Sequence, residues 1–470
     1  MKKTKIICTI GPKTESEKKL FELIKNGMNA IRLNFSHGSH EEHSNRIHNL
    51  RKICKKKNKK ISIILDTKGP EIRTMRLRDG NNIYLKVGQK FSLTTNKSII
   101  GNNSIVAINY DRFIDNLKKD NIIMIDDGLI NMKVISIFSD LVVCRVLNSG
   151  SLGENKSVNL PGVYTNFPSL SKDDKKDLIF GCRNQVDFIA VSFVKKSKDI
   201  IEIRDFLKSN GGEKISIISK IENQEGLNNF EEILKVSDGI MIARGDLGVE
   251  IPVEEVVFAQ KMMIKKCVLE GKIVITATQM LNSMIENPRP TRAEVSDVAN
   301  AILDGTDAVM LSGESANGKY PIESIKIMSK ICERTDIEVP IFLYKKKNNE
   351  NIQITESICQ GIVKIAKDLK SKLIIAYTDS GKIAKLLRKN FPKATILALT
   401  FNEKVEKKLL LFRGVIPKLI KRIDSISKFY QIGKNIALDE KLVQKGDTII
   451  MVSGSLLSSF TKNFFSIHIL

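Results

Sequence analysis

Short apolar, β-branched runs recur along the first two thirds of the chain: "KIICTI" (5–10), "AIRLNF" (30–35), "SIILD" (62–66), "DFIAVSF" (187–193), "ISIISKI" (215–221), "DGIMIAR" (238–244), "KIVITAT" (272–278) and "DAVMLSG" (307–313). Helical patterns separate most of them. "ESEKKLFELIKNG" ends at Gly27, "SKDDKKDLIFGC" starts from Ser171, and "TRAEVSDVANAILDG" opens with Thr291 and Glu294 in capping-box spacing. In this last segment Val295, Val298, Ala299 and Ile302 fall at i, i+3, i+4 and i+7, which predicts one apolar helix face. Eight such runs alternating with helices predict an α/β fold of the (β/α)8 TIM-barrel type, with an open doubly wound sheet as the alternative.

The rhythm breaks between residues 70 and 167, where "NNIYLKVGQKFSLTT", "NIIMIDDGLI" and "SDLVVCRVLNSG" read as hairpin strands and turns. This predicts a barrel-like β domain, a lid, inserted after the third barrel strand. A polar stretch, "YKKKNNENIQ" (344–353), reads as a linker. Beyond it "KLIIAYT", "ATILALT", "GVIPKLI", "DTIIMVS" and "FFSIHIL" alternate with helical segments and predict a separate C-terminal α/β domain. The expected organisation is a barrel from 1–69 and 168–344, an inserted domain over 70–167 and a C-terminal domain over 345–470.

Composition narrows the function classes. With 470 residues, 42% hydrophobic and 27% charged, the chain reads as soluble and globular. No apolar run approaches the roughly eighteen residues that cross a bilayer, and "IICTI" is too short for a signal peptide before Gly11-Pro12. A cytoplasmic protein with no membrane partner is expected. Seven scattered cysteines without a C-x-x-C pair argue against a disulfide framework or a zinc site. The net charge of +23 has the sign of a nucleic-acid binder. Its lysines, however, spread over all segments of a chain rich in Asn and Ile and without Trp, so a composition-wide drift is the simpler account and no nucleic-acid partner is expected. The densest cluster, "KICKKKNKK" (52–60), reads as the solvated end of a helix.

In a barrel, chemistry sits at the C-terminal ends of the strands. Polar residues gather there: Arg32, Asn34 and Ser36 at the end of the second run, Asp66, Thr67 and then Arg73 at the end of the third, Lys220 and Glu222 at the fifth, Asp246 after the sixth and Thr278 at the end of the seventh. Strand alternation sends Lys220 and Glu222, two residues apart, to the same side. Glu222 and Asp246 together suit Mg²⁺, which shares its coordination sphere with waters and substrate phosphates. Arg32, Arg73 and Lys220 supply the fixed positive charge that phosphoryl transfer requires, and the N–H groups of Gly245 and Asp246, where a helix begins, suit an anion. Neither a Walker A motif nor G-x-G-x-x-G follows the first strand. Taken residue by residue, capping and salt bridges are the better account of these groups; their convergence is what points to a site.

The motifs "RLNFSHG", "LDTKGPEIR", "NLPG", "SKIENQEG", "ARGDLGVEIP", "TATQML", "NPRPTRAE" and "DGTDAVMLSGESA", in this order and spacing, resemble the pyruvate kinase family from Lys3 to about Leu470, and among its members the bacterial enzymes activated by fructose 1,6-bisphosphate. The resemblance implies phosphoryl transfer from phosphoenolpyruvate to ADP, giving pyruvate and ATP as the last step of glycolysis, in a homotetramer. Carried to matching positions, it gives Lys220 the neutralisation of the moving phosphoryl group and assigns Glu222 and Asp246 to Mg²⁺ or Mn²⁺. Arg32 and Arg73 hold phosphates, the amides of Gly245 and Asp246 receive the substrate carboxylate, and Thr278 lies near the enolate. Asn34, Ser36, Asp66 and Thr67 fall to K⁺, with Glu71 similar to the potassium-dependent members. Asn34, His37, Arg73 and Lys156 fall to the nucleotide, Lys156 reaching it when the lid closes.

The chain departs from the family pattern at its C-terminal end. A sugar-phosphate effector loop is retained in Thr378, Ser380, Gly381 and Lys382, but Ile383 stands where a hydroxyl residue is common, and the final loop carries Phe460, Lys462 and Phe464 in place of small residues. These departures predict that activation by fructose 1,6-bisphosphate is weakened or lost. Two other readings are a basic scaffold on a decayed enzyme fold and a different Mg²⁺-dependent barrel acting on phosphoenolpyruvate or an oxoacid.

Overall fold

Each of the eight apolar runs forms a parallel strand in the computed structural model, which describes residues 2–341, 354–454 and 464–470. The strands are β1 (Lys5–Thr9), β2 (Ala30–Asn34), β3 (Ser62–Asp66), β4 (Phe188–Val191), β5 (Ser216–Ile221), β6 (Gly239–Ala243), β7 (Ile273–Ala277) and β8 (Ala308–Leu311). They hydrogen-bond in sequence order and β8 pairs with β1, so the sheet closes into a barrel and the open doubly wound alternative is excluded. Alternation along each strand explains the burial: Ile7 and Ile64 point into the barrel interior, while Ile6, Cys8 and Leu65 face the helices. The Thr291–Glu294 capping box opens the helix Arg292–Asp304 as expected. Its buried stripe is Val298, Ala301 and Ile302; Val295, in the first turn, is exposed, so the apolar face begins one turn later than the periodicity predicts.

Between β3 and β4 the chain forms a six-stranded and a two-stranded sheet around their own core, which includes Phe91, Ile123, Val134 and Val142. The chain leaves the barrel through Gly69, whose φ of +70° is a left-handed conformation natural to glycine. It returns at Ser171. One buried carboxylate ties both crossings: Asp174 Oδ1 accepts the Gly69 N–H at 3.2 Å and Oδ2 accepts the Ser171 N–H at 3.0 Å.

The C-terminal sheet contains β9 (Leu373–Tyr377), β10 (Thr395–Thr400), β11 (Val415–Leu419), β12 (Thr448–Ser453) and β13 (Phe464–Ile469), in the order β11-β10-β9-β12-β13. Only β13 runs antiparallel, and Pro417 is accommodated because β11 is an edge. The linker expected at 344–353 lies outside the described residues.

This domain docks on the N-terminal rim of the barrel through a repeated device. The residue just before each even-numbered strand accepts a backbone N–H from the strand before it: Asn29 from Ile6 (3.0 Å), Asp187 from Ile63 (2.9 Å), Asp238 from Ile217 (3.0 Å) and Asp307 from Val274 (3.0 Å). The three aspartates then take cations from the C-terminal domain, Lys407 on Asp187, Lys408 on Asp238 and Arg388 on Asp307. Burial would raise the Asp238 carboxyl, but Lys408 outweighs it and holds the group well below the usual carboxylate range. Arg388 and Asp307 are both buried. Removing one partner of such a pair leaves the other charge uncompensated, so Arg388→Met is expected to lower stability by about 3–5 kcal/mol. Chemical denaturation measures it; an unchanged midpoint and slope would show that the pair does not hold the domains.

Candidate active site

At the opposite rim, β5 delivers Lys220 and Glu222 to the same side, with Nζ 2.9 Å from Glu222 Oε1. The ammonium is also 3.0 Å from Asp66 Oδ1, at the end of β3, and donates to Ser192 Oγ at 2.7 Å, just past β4. Arg32, from β2, closes the group by donating its Nε–H to Asp66 Oδ2 at 2.6 Å and an Nη1–H to Thr9 Oγ1 at 3.2 Å. Burial alone would drive the Lys220 ammonium to give up its proton, yet Asp66 and Glu222 together outweigh it and hold the pKa above the usual lysine value. Asp66 is also buried, and Arg32 and Lys220 keep it ionised below the ordinary range. Glu222 behaves differently. Burial, reinforced by the negative charge of Asp246, pushes its carboxyl up to about 7 against the pull of Lys220 and of the Phe193 N–H that it accepts at 2.7 Å.

Asp246 lies in the short helix Arg244–Glu250 after β6, with its carboxyl raised by burial and further by Asp127 and Glu71. The neighbouring Gly245 N–H donates to Thr278 Oγ1 at 2.8 Å, which places the amide expected to bind an anion beside the threonine expected near the reacting carbon. Thr278 has φ +62°, strained for a β-branched residue. Arg244 holds it there, donating to the Thr278 carbonyl at 2.8 Å while pairing with Asp297 at 2.7 Å.

Asn34 and Asp66 stand opposite each other in the β2–β3 register. Asn34 Oδ1 accepts the Ser36 N–H at 3.3 Å, and the Thr67 carbonyl accepts the Ser192 hydroxyl at 2.6 Å. His37 is exposed, its carbonyl 3.0 Å from the His43 ring. Arg73 and Lys156 are not brought to this cluster. They remain on the inserted domain, Arg73 with Glu71 and the Asn155 carbonyl, both at 2.7 Å, and Lys156 with Asp126 at 3.0 Å. A cleft lined by Glu71, Ser157, Asn159, Phe193, Lys195 and Asp246 separates the two walls. Among the described residues no three His, Cys, Asp or Glu side chains form a metal cluster.

Far from this rim, Thr378 follows β9, Gly381 adopts φ +79°, and Ser380 Oγ accepts the Lys382 N–H at 3.4 Å as the helix Lys382–Lys389 starts. Ile383 is buried in the domain core, and Phe464 begins β13; Phe460 and Lys462 lie outside the described residues.

The sequence patterns missed Ser192, Phe193 and Arg244. Ser192 and Phe193 end the fourth apolar run, and Arg244 the sixth, so position alone was the available signal.

Two family models match the chain, the pyruvate kinase barrel domain over residues 1–325 and the pyruvate kinase alpha/beta domain over residues 356–468. A pyruvate kinase of Clostridium acetobutylicum is 47% identical over 456 residues, covering 97% of this chain and 96% of the relative. A pyruvate kinase of Dictyostelium discoideum is 47% identical over 462 residues, covering 96% and 91%. In three dimensions, the crystal structure of a pyruvate kinase from Cryptosporidium parvum superposes with a TM-score of 0.92 at 40% identity, over 100% of this chain and 96% of that one. Sequence, domain order and fold therefore agree along the whole length, and the chain belongs to the pyruvate kinase family.

Proposed function

We propose that the chain transfers the phosphoryl group of phosphoenolpyruvate to ADP at the C-terminal rim of the barrel, giving pyruvate and ATP. The observation that carries this reading is the buried Lys220 ammonium, kept protonated between Asp66 and Glu222 beside Arg32. A fixed cation in a dry, preorganised setting stabilises the charge of a phosphoryl group in flight without reorganising at the moment of reaction. Arg32 steadies the phosphate, the Asp246 amide, joined by that of Gly245 once it leaves Thr278 Oγ1, holds the substrate carboxylate, and Thr278, packed against Gly245, stands by the enolate carbon that must gain a proton. Asn34, His37, Arg73 and Lys156 complete the site from the nucleotide side.

The donor sets fit the cations that this reaction uses. Glu222 is a buried carboxylate and Asp246 a half-buried one, and Asp246 adds to the burial that raises the proton affinity of Glu222, a repulsion that Mg²⁺ or Mn²⁺ would relieve. Asn34, Ser36, Asp66 and Thr67 offer neutral oxygens and one carboxylate, a donor set for K⁺. When bound, the ions add charge neutralisation and a template for the phosphoryl oxygens.

We assign the barrel to 1–69 and 168–344, the lid to 70–167 and the effector domain to 345–470. Assembly as a homotetramer is supported by two exposed apolar features: Val253, Val257 and Phe258 around the start of the helix Glu255–Leu269, and the outer edge of β13, where Phe465, Ile467 and Ile469 are exposed. Among the described residues no helix is long and apolar enough to cross a membrane, which supports a cytoplasmic location. In the effector loop Ile383 packs into the core and offers no hydroxyl to a phosphate, which supports weakened or lost control by fructose 1,6-bisphosphate.

Pyruvate formation with phosphoenolpyruvate, ADP, Mg²⁺ and K⁺ tests the reading, and no pyruvate at all would overturn it. Lys220→Met is expected to keep the fold and lose about 2.7–4 kcal/mol of barrier lowering, on the order of 100- to 1,000-fold in kcat; wild-type turnover would refute the role of Lys220. In the same assay Glu71→Lys is expected to weaken the K⁺ requirement, and an unchanged requirement would count against the potassium assignment. Fructose 1,6-bisphosphate is expected to leave the phosphoenolpyruvate saturation curve of the wild-type protein nearly unchanged; conversion of a sigmoidal curve into a hyperbolic one would show that the loop still couples to the barrel.

A further inference from the structure

Lysine carries three N–H donors, and Lys220 directs them to three acceptors: Asp66, Glu222 and Ser192. The two carboxylates hold the charge. Ser192 does something else, because its own geometry is fixed from behind: its hydroxyl donates to the Thr67 carbonyl at 2.6 Å, and its backbone N–H donates to Thr67 Oγ1 at 3.2 Å. The Thr67 carbonyl is by far the nearer of the two acceptors of this hydroxyl, Asp66 Oδ1 lying at 3.5 Å, and with the proton on that side a lone pair of Oγ is left to face Nζ. We infer that Ser192 is a positioning residue, which fixes where the Lys220 ammonium stands during phosphoryl transfer.

Three features of the surrounding turn support this. Phe193, the next residue, has φ +54°, a left-handed conformation costly for an aromatic residue, and its N–H donates to Glu222 Oε2 at 2.7 Å. A single strained turn therefore orients both the ammonium and one of its counter-ions. Ser192 is also buried, so water does not substitute freely for the hydroxyl. Finally, the site of a Cβ on Gly69 would lie 2.8 Å from Ser192 Cβ, so the first crossing into the inserted domain rests against this residue.

Charge explains why a neutral partner is useful. An incoming phosphoryl group competes with Asp66 and Glu222 for the ammonium, and each carboxylate contact that lengthens frees the lysine to swing. A hydroxyl anchored on the β3 exit restrains Nζ without repelling the phosphoryl oxygens or adding negative charge. Lys220 would then meet the transition state already aligned, the condition under which a fixed donor is most effective.

The inference rests on the charge-stabilising role of Lys220, and a double-mutant cycle separates the two. Steady-state kinetics would be measured for the wild type, Ser192→Ala, Lys220→Met and the double variant, with Ser192→Cys, similar in shape but a weak hydrogen-bonding group, as a second probe. Ser192→Ala and Ser192→Cys are expected to lower kcat on the order of 10- to 100-fold. The KM for phosphoenolpyruvate should change by less than about threefold, and the double variant should be no slower than Lys220→Met. Near-wild-type kcat in both serine variants would overturn the inference, as would an added loss from Ser192→Ala in the Lys220→Met background, since a merely structural serine costs the same with or without the lysine. If Ser192→Ala does not fold, the Cys variant and its own double with Lys220→Met are read by the same rule. Wild-type turnover of Lys220→Met would instead bring down the lysine assignment itself.

Discussion

A cation that remains charged inside a protein must be surrounded by acceptors, and that requirement on Lys220 organises the top of this barrel. Its partners come from separate strands: Asp66 from the end of β3, Ser192 from just past β4 and Glu222 from just past β5. These strands are consecutive neighbours in the parallel sheet, so their exits fall side by side. The β2–β3 register places Asn34 beside Asp66, and Arg32, also from β2, reaches the same carboxylate. Removing any one partner would leave charge or hydrogen-bonding capacity unpaired where water cannot compensate.

The two rims of the barrel use buried acids in opposite ways. At the base, Asp187, Asp238 and Asp307 each cap a neighbouring strand, and each receives a lysine or arginine from the C-terminal domain; burial still raises the carboxyls of Asp187 and Asp307, while Lys408 holds that of Asp238 low, and each acid has a cation supplied by the protein itself. At the top, Glu222 shares one lysine with Asp66, while Asp246 faces Asp127 and Glu71 across the cleft, and the result is a surplus of negative charge. Burial, and after it the neighbouring carboxylates, raises the proton affinity of Glu222 and Asp246, a state that a bound cation would relieve. The balanced rim is a structural joint, and the unbalanced one is where a metal and a phosphorylated substrate belong under the proposed function.

Much of this was legible in the sequence because the strands are apolar almost throughout, so that "SIILD" and "ISIISKI" mark β3 and β5 without homologous chains. Lys220 and Glu222 were legible from a two-residue spacing, which alternation converts into proximity. Ser192 was not, since a serine after a strand carries no charge and signals nothing until its hydroxyl is seen between Thr67 and Lys220. The aspartates opening "DFIAVSF", "DGIMIAR" and "DAVMLSG" were visible, but their meaning depends on Lys407, Lys408 and Arg388, more than eighty residues away in the chain at the nearest. Val295 fits the helical periodicity and is nevertheless exposed, because periodicity defines a face and cannot say where along the helix the covering layer begins.

The position of Arg73 and Lys156 was not legible for a different reason. Under the proposed function their chemistry belongs with the barrel cluster, yet they ride on a domain joined to it by two crossings, and the sequence specifies the crossings without specifying the angle between them. In the structure both side chains are neutralised within the inserted domain, Arg73 by Glu71 and Lys156 by Asp126. These pairs are partly exposed, so exchanging them for phosphate oxygens costs little compared with breaking a buried pair. Under the proposed function, a nucleotide can therefore recruit the lid by offering its phosphates to residues whose present partners hold them weakly. The crossings themselves are anchored to the barrel: Asp174 binds both, and Gly69 leans on Ser192. Under the proposed function, the path by which the inserted domain leaves the barrel is thus in direct contact with the residue that positions Lys220.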